Sequence, residues 1–138
     1  SKNRGLQAHI AAPSSTLLHA LSHRALATDV LPTFTGQQAA QLIWALGKLR
    51  TQQPALMRGL GDRLMTSSVL ETLRDKDISM TAWGLAKARA REIVLLNAMV
   101  RHTAQSSSGL NTWSPQAVSN TVWGFASLRV PNKALTDM

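Results

Sequence analysis

Nine side chains recur as three triplets, Gln37, Gln41 and Lys48, then Lys76, Met80 and Lys87, then Gln116, Asn120 and Ser127, each at the same offsets from a tryptophan, Trp44, Trp83 or Trp123. Amides carry donors and acceptors together, and lysines carry charge. On a helix, the positions seven before, three before and four after the tryptophan lie within ~40° of one another. Stacked side by side, such stripes would make a ladder able to contact the bases and phosphates of a single RNA strand. The ordinary alternative is a solvated face of an amphipathic helix. Six residues after each tryptophan stands an arginine, Arg50, Arg89 or Arg129, where a cation either offsets a helix C-terminus or holds a phosphate. The tryptophans themselves read first as fillers of gaps between helices, and second as surfaces for a stacked base.

Something must bring these stripes together, and the period of the sequence says what. The runs WALGKLR, WGLAKAR and WGFASLR start at Trp44, Trp83 and Trp123, with gaps of 39 and 40 residues. A second anchor, Leu17, Leu56 and Leu95, repeats at 39 and 39. The extra residue in the last tryptophan gap then falls between Leu95 and Trp123, and Ser106 to Gly109 is the loop suited to hold it. Self-similarity at this period implies an all-α chain, an α-solenoid of stacked helical hairpins. Pro, Gly and Ser punctuation predicts seven helices, over 14–28, 35–50, 53–72, 76–89, 91–106, 114–129 and 131–138, with Thr35, Asp75 and Ser114 as N-caps and Pro115 in a first turn. The array divides into an N-terminal arm 1–12, a partial repeat 13–34, repeats 35–73 and 74–112, and an incomplete repeat 113–138. It is expected to be a segment of a longer array, or one whose ends partners cover.

Within each tryptophan helix the positions two before, two after and five after form the expected core stripe: Leu42, Leu46, Leu49; Thr81, Leu85, Ala88; Thr121, Phe125, Leu128. Small residues stand one and three after the tryptophan (Ala45, Gly47; Gly84, Ala86; Gly124, Ala126). Glycine inside a helix costs about 1 kcal/mol against alanine, so its recurrence points to close approach of neighbouring helices.

Composition narrows the chemistry. Fifteen Lys and Arg stand against seven Asp and Glu, a net charge of +8 on 138 residues, which suits a polyanion or an acidic protein partner. There is no cysteine, hence neither disulfides nor thiolate-bound zinc. No apolar run approaches the ~18 residues of a membrane span. His19 and His23 are four apart, a spacing suited to two metal ligands, but no third ligand stands near them, so no metal is expected. Gly59-Leu60-Gly61 is too short for a phosphate loop. No catalytic motif stands out, and neither an enzyme activity, a cofactor nor a small-molecule substrate is expected.

The third repeat, Trp113-Ser114-Pro115-Gln116 leading through Asn120 to Trp123-Gly124-Phe125-Ala126, resembles the octotricopeptide repeat family, whose pattern runs F-S-P-Q-x-L-x-N-x-x-W-A-L-A-K-L-G. The resemblance extends over residues 15 to 138. The first repeat keeps Phe34-Thr35 and Trp44-Ala45-Leu46 but has Gly36 for the proline and Gln41 for the asparagine, where the second has Met80. Arg50, Arg89 and Arg129 replace or precede the pattern's terminal glycine. The resemblance implies an α-solenoid that binds RNA in a mitochondrion, or alternatively a chloroplast. A component of the mitochondrial ribosome holding an rRNA segment, docked on neighbouring proteins, is the expectation. A factor for transcript stability, processing or translation, and a protein-binding scaffold, stand as alternatives. The RNA contacts expected are Gln37, Gln41, Lys48, Arg50, Lys76, Lys87, Arg89, Gln116, Asn120 and Arg129.

Overall fold

The computed structural model describes residues 16–130, and they are helical with no strand among them. We number the helices α1 (16–25), α2 (Gly36–Lys48), α3 (Pro54–Met65), α4 (Ser67–Leu70), α5 (Asp75–Lys87), α6 (Ile93–Gln105) and α7 (Pro115–Ser127), with a 3-10 turn at Leu31–Thr33. The expected arm 1–12 and the expected helix 131–138 lie outside the described residues.

Local chemistry sets the starts of the tryptophan helices. Thr35 Oγ1 accepts from the Gln38 amide at 3.1 Å while Gln38 Oε1 accepts from the Thr35 amide at 3.0 Å, a complete capping box for α2. Ser114 Oγ accepts from the Ala117 amide at 3.1 Å, and Pro115 fills the first turn of α7. Asp75 does not cap α5. The N-cap is Arg74, whose amide donates to Asp77 Oδ2 at 3.0 Å, so the acid three residues inside takes over the task. Asp75 turns instead to the next tryptophan helix, where its Oδ2 accepts from the Ser114 amide at 3.1 Å.

The three tryptophan helices lie side by side, α5 in the middle, and α3 packs against both α2 and α6. The recurring glycines explain the close spacing of the first row. A Cβ on Gly84 would come within 2.5 Å of the Ile43 carbonyl oxygen, one on Gly47 within 2.7 Å of the Gly84 Cα, and one on Gly124 within 2.7 Å of the Ala82 carbonyl oxygen. Only hydrogen fits at these seams. Behind them Leu46, Leu85, Phe125, Leu60, Leu64, Leu95, Leu96 and Met99 form one buried core, each side chain contributing roughly 1.5–3 kcal/mol.

Besides the Asp75 cap, three expectations fail in detail. Leu49 is 64% exposed, whereas its equivalents Ala88 and Leu128, C-caps like it, are buried; in α2 Ile43 is buried in full. Leu17 is exposed, unlike Leu56 and Leu95, since no tryptophan helix precedes α1 among the described residues to cover it. The helix expected over 53–72 breaks at Thr66, whose backbone is extended (φ −60°, ψ 128°) and whose hydroxyl donates to the Asp62 carbonyl at 3.2 Å. The equivalent stretch after α6 contains no helix; it is a run of turns with Gly109 at φ 54°.

Each tryptophan helix ends in the same way. The amide of Thr51 donates to the Leu46 carbonyl at 3.2 Å, that of Ala90 to Leu85 at 2.8 Å and that of Val130 to Phe125 at 3.0 Å, the six-to-one bond of a Schellman cap. This cap puts its penultimate residue in the left-handed region, and those residues are Arg50, Arg89 and Arg129, at φ 50°, 56° and 55°. Glycine is the usual occupant; an L-residue there costs about 1–2 kcal/mol.

Candidate nucleic-acid interface

On a helix the tryptophan and the three stripe positions that flank it span only ~60°. The structure follows that arithmetic, and the tryptophans stand on the outside. Trp44 is 38% exposed, Trp123 is 43% exposed and Trp83 between them is half-buried. Their reading as gap fillers is therefore corrected. The helix seams are so tight that no gap is left for an indole, and the rings lie over the seams on the outer surface. Trp113, outside this row, is half-buried against the core.

The lysines of the stripe interleave with the rings. Lys48 Nζ lies 5.5 Å from the Trp44 ring centroid, one helical turn back. Lys87 Nζ lies 5.5 Å from the Trp83 centroid and 5.1 Å from that of Trp123, so one ammonium bridges two helices. Trp44 and Trp83 touch directly, with centroids 6.0 Å apart and planes tilted by 32°. The third helix has Ser127 where the other two have lysine.

Toward the N-terminal ends of α5 and α7 the face opens into a groove of about 580 Å³. Lys76 and Met80 of α5 meet Gln116 and Asn120 of α7 there, with Trp44 at one side and Asp75, Ser79, Ser114 and Ala117 completing the lining. Three expected contact residues, Lys76, Gln116 and Asn120, are thus brought together. Gln37 and Gln41 are exposed on α2 and do not line this groove. Arg50, Arg89 and Arg129 are exposed, but Arg89 borders a separate hollow of about 180 Å³ with Gln52, Gln53 and Met57 rather than the groove.

The groove holds one carboxylate, Asp75, beside Lys76. Two ion pairs occur among the described residues, Arg24–Asp29 at 3.4 Å and Arg74–Asp77 at 3.8 Å, and neither uses a stripe lysine or a cap arginine. Arg91, which the sequence did not single out, serves the fold: its Nε donates to the Leu128 carbonyl at 2.8 Å and its Nη2 to that of Arg129 at 3.0 Å.

A second surface lies at the far side of α7. Leu110, Val118 and Val122 are exposed, and with Ile78, Val100, Thr103, Trp113 and Thr121 they line an apolar groove of about 340 Å³. No group of three metal-binding side chains occurs among the described residues, and none of their helices is long and apolar enough to cross a membrane. No family model, no curated protein and no solved structure matches the chain.

Proposed function

We propose that the chain is part of an α-solenoid, built on the sequence period of 39 to 40 residues, that holds single-stranded RNA along its tryptophan face. The observation that carries this reading is the arrangement of one exposed surface into parallel rows. Lysines lie along one edge, indoles in the middle, and Lys76, Gln116 and Asn120 along the other. Such a face offers phosphates a row of cations, bases a row of flat rings, and base edges a row of amides, the parts a single strand needs. The net charge of +8 supplies long-range attraction. Together with the resemblance of the third repeat to octotricopeptide proteins, this favours an organellar ribonucleoprotein, a mitochondrial ribosome before a plastid one.

Binding of a labelled RNA by fluorescence anisotropy, repeated across salt concentrations, tests the reading. Affinity should fall steeply with salt, and reversing Lys48, Arg50, Lys87 and Arg89 to Glu should abolish it while helicity survives. A flat salt response, or unchanged affinity in the reversed variant, would end this assignment. Ultraviolet cross-linking in isolated organelles then separates the settings. One dominant rRNA segment supports the ribosome, and a discrete messenger site supports a transcript factor.

The apolar groove beyond α7 favours a second role, contact with protein. Val118 and Val122 occupy the positions of Ala39 and Ile43 in α2, which are fully buried under the next helix. Thr121 adds a buried hydroxyl without a hydrogen-bond partner. A clamp that grips RNA on one face and docks on a neighbouring protein through the groove beside α7 accommodates both surfaces. Cross-linking that recovers no RNA above background would leave the protein scaffold alone.

A further inference from the structure

The two steps of the tryptophan row differ, although each seam holds a glycine against the neighbouring backbone, Gly84 at Ile43 and Gly124 at Ala82. Between α2 and α5, Gly47 faces Gly84 backbone to backbone, and the rings of Trp44 and Trp83 close on each other at 6.0 Å. The position of Gly47 is taken in α5 by Ala86, which is buried. Between α5 and α7, the rings of Trp83 and Trp123 are not in mutual contact; the ammonium of Lys87 stands within 5.5 Å of one and 5.1 Å of the other.

Resting on the RNA reading, we infer that the space between Trp83 and Trp123 is a slot for one unpaired base, and that Lys87 is its resident placeholder. A base is flat and needs van der Waals distance, ~3.5 Å, from a ring on each side, which a closed ring pair like Trp44–Trp83 does not offer. Lys87 has no carboxylate partner among the described residues, and a flexible four-carbon stem carries its charge. When a base enters, the ammonium swings out to the phosphate of the same nucleotide, so the cation is not lost to the complex but moved from a ring to an anion. Sandwiching between two indoles outweighs a solvent-exposed cation–π contact, which makes the exchange favourable. The Trp44–Trp83 pair is already in ring contact, over a seam with glycine on both helices, Gly47 and Gly84. It offers at most an outer surface. The face therefore carries one tight base site and a weaker shelf, in place of three equal rungs.

The test uses the 138-residue protein, a labelled eight-nucleotide RNA of mixed sequence, and the same backbone with every base removed. Binding of the intact RNA by the native protein tests the RNA reading itself; no binding at low salt sinks that reading and the slot with it. Given binding, Trp123→Leu should weaken it at least tenfold and Trp44→Leu no more than threefold, both variants keeping the native circular dichroism spectrum. Against the abasic strand Trp123→Leu should change affinity less than twofold. Equal losses at Trp44 and Trp123, no loss at Trp123, or a loss that persists with the abasic strand would each overturn the slot while leaving RNA binding in place. Replacing single uridines by 4-thiouridine adds a direct reading. Cross-links at Trp83 or Trp123 support the slot, and cross-links confined to Trp44 refute it.

Discussion

The seam between α2 and α5 and the outer side of α7 carry equivalent positions of the same repeat, yet one is shut and the other open. Ile43 has no exposed surface, and Val122, its counterpart, is 50% exposed. Residue type does not explain this, since both are β-branched and apolar. Burial here is granted by the neighbouring helix, and α5 covers Ile43 while no helix among the described residues covers Val122.

Substitutions can break this comparison. The largest effect belongs to Gly84→Val, which drives a branched side chain into the Ile43 carbonyl; it should cost about 3 kcal/mol or more, or prevent cooperative unfolding in urea. Retention of native stability would mean the helices part more easily than the backbone contact implies. Arg91→Ala should cost about 1–2 kcal/mol by leaving the Leu128 and Arg129 carbonyls without their charged donor, measured by the same denaturation. Arg89→Gly should act in the opposite direction. Relief of a left-handed penalty of about 1–2 kcal/mol, less the roughly 0.5–1 kcal/mol that glycine loses in folding entropy, leaves a gain of about 0.5–1 kcal/mol. If the same variant binds RNA less well, the arginine is held in that conformation for its charge, and a gain in stability without any loss of affinity leaves it no role in binding. The smallest effect sharpens the contrast: Val122→Asp should change the unfolding free energy in the same urea titration by less than about 0.5 kcal/mol, where Ile43→Asp at the closed seam should unfold the protein.

Much of this was legible in the sequence, for reasons that can be named. The small residues after each tryptophan announced the seams, because glycine is kept inside a helix only where a side chain will not fit. Thr35 and Ser114 announced two helix starts through the short oxygen side chains that reach back to free amides. The exposure of the tryptophans was equally available, since the wheel that grouped Gln41 with Lys48 also sets Trp44 beside them; bulk and hydrophobicity argued for a core role and overrode the geometry. The break at Thr66 was hidden because it involves neither glycine nor proline. Left-handed arginines were hidden for the same reason, although the resemblance placed a glycine near that point. The Lys87 bridge depends on the distance between two helices, which no spacing along one chain encodes.

Arg91 stands just before α6, yet it satisfies the carbonyls that end α7, 37 and 38 residues later in the chain. The closing turn of α7 is thus tethered from outside its own hairpin, and it cannot fray one amide at a time. In hydrogen exchange, the Leu128 to Val130 region should open together with the start of α6 as a single unit, so that force applied at Val130 would load the preceding hairpin before it peels off α7.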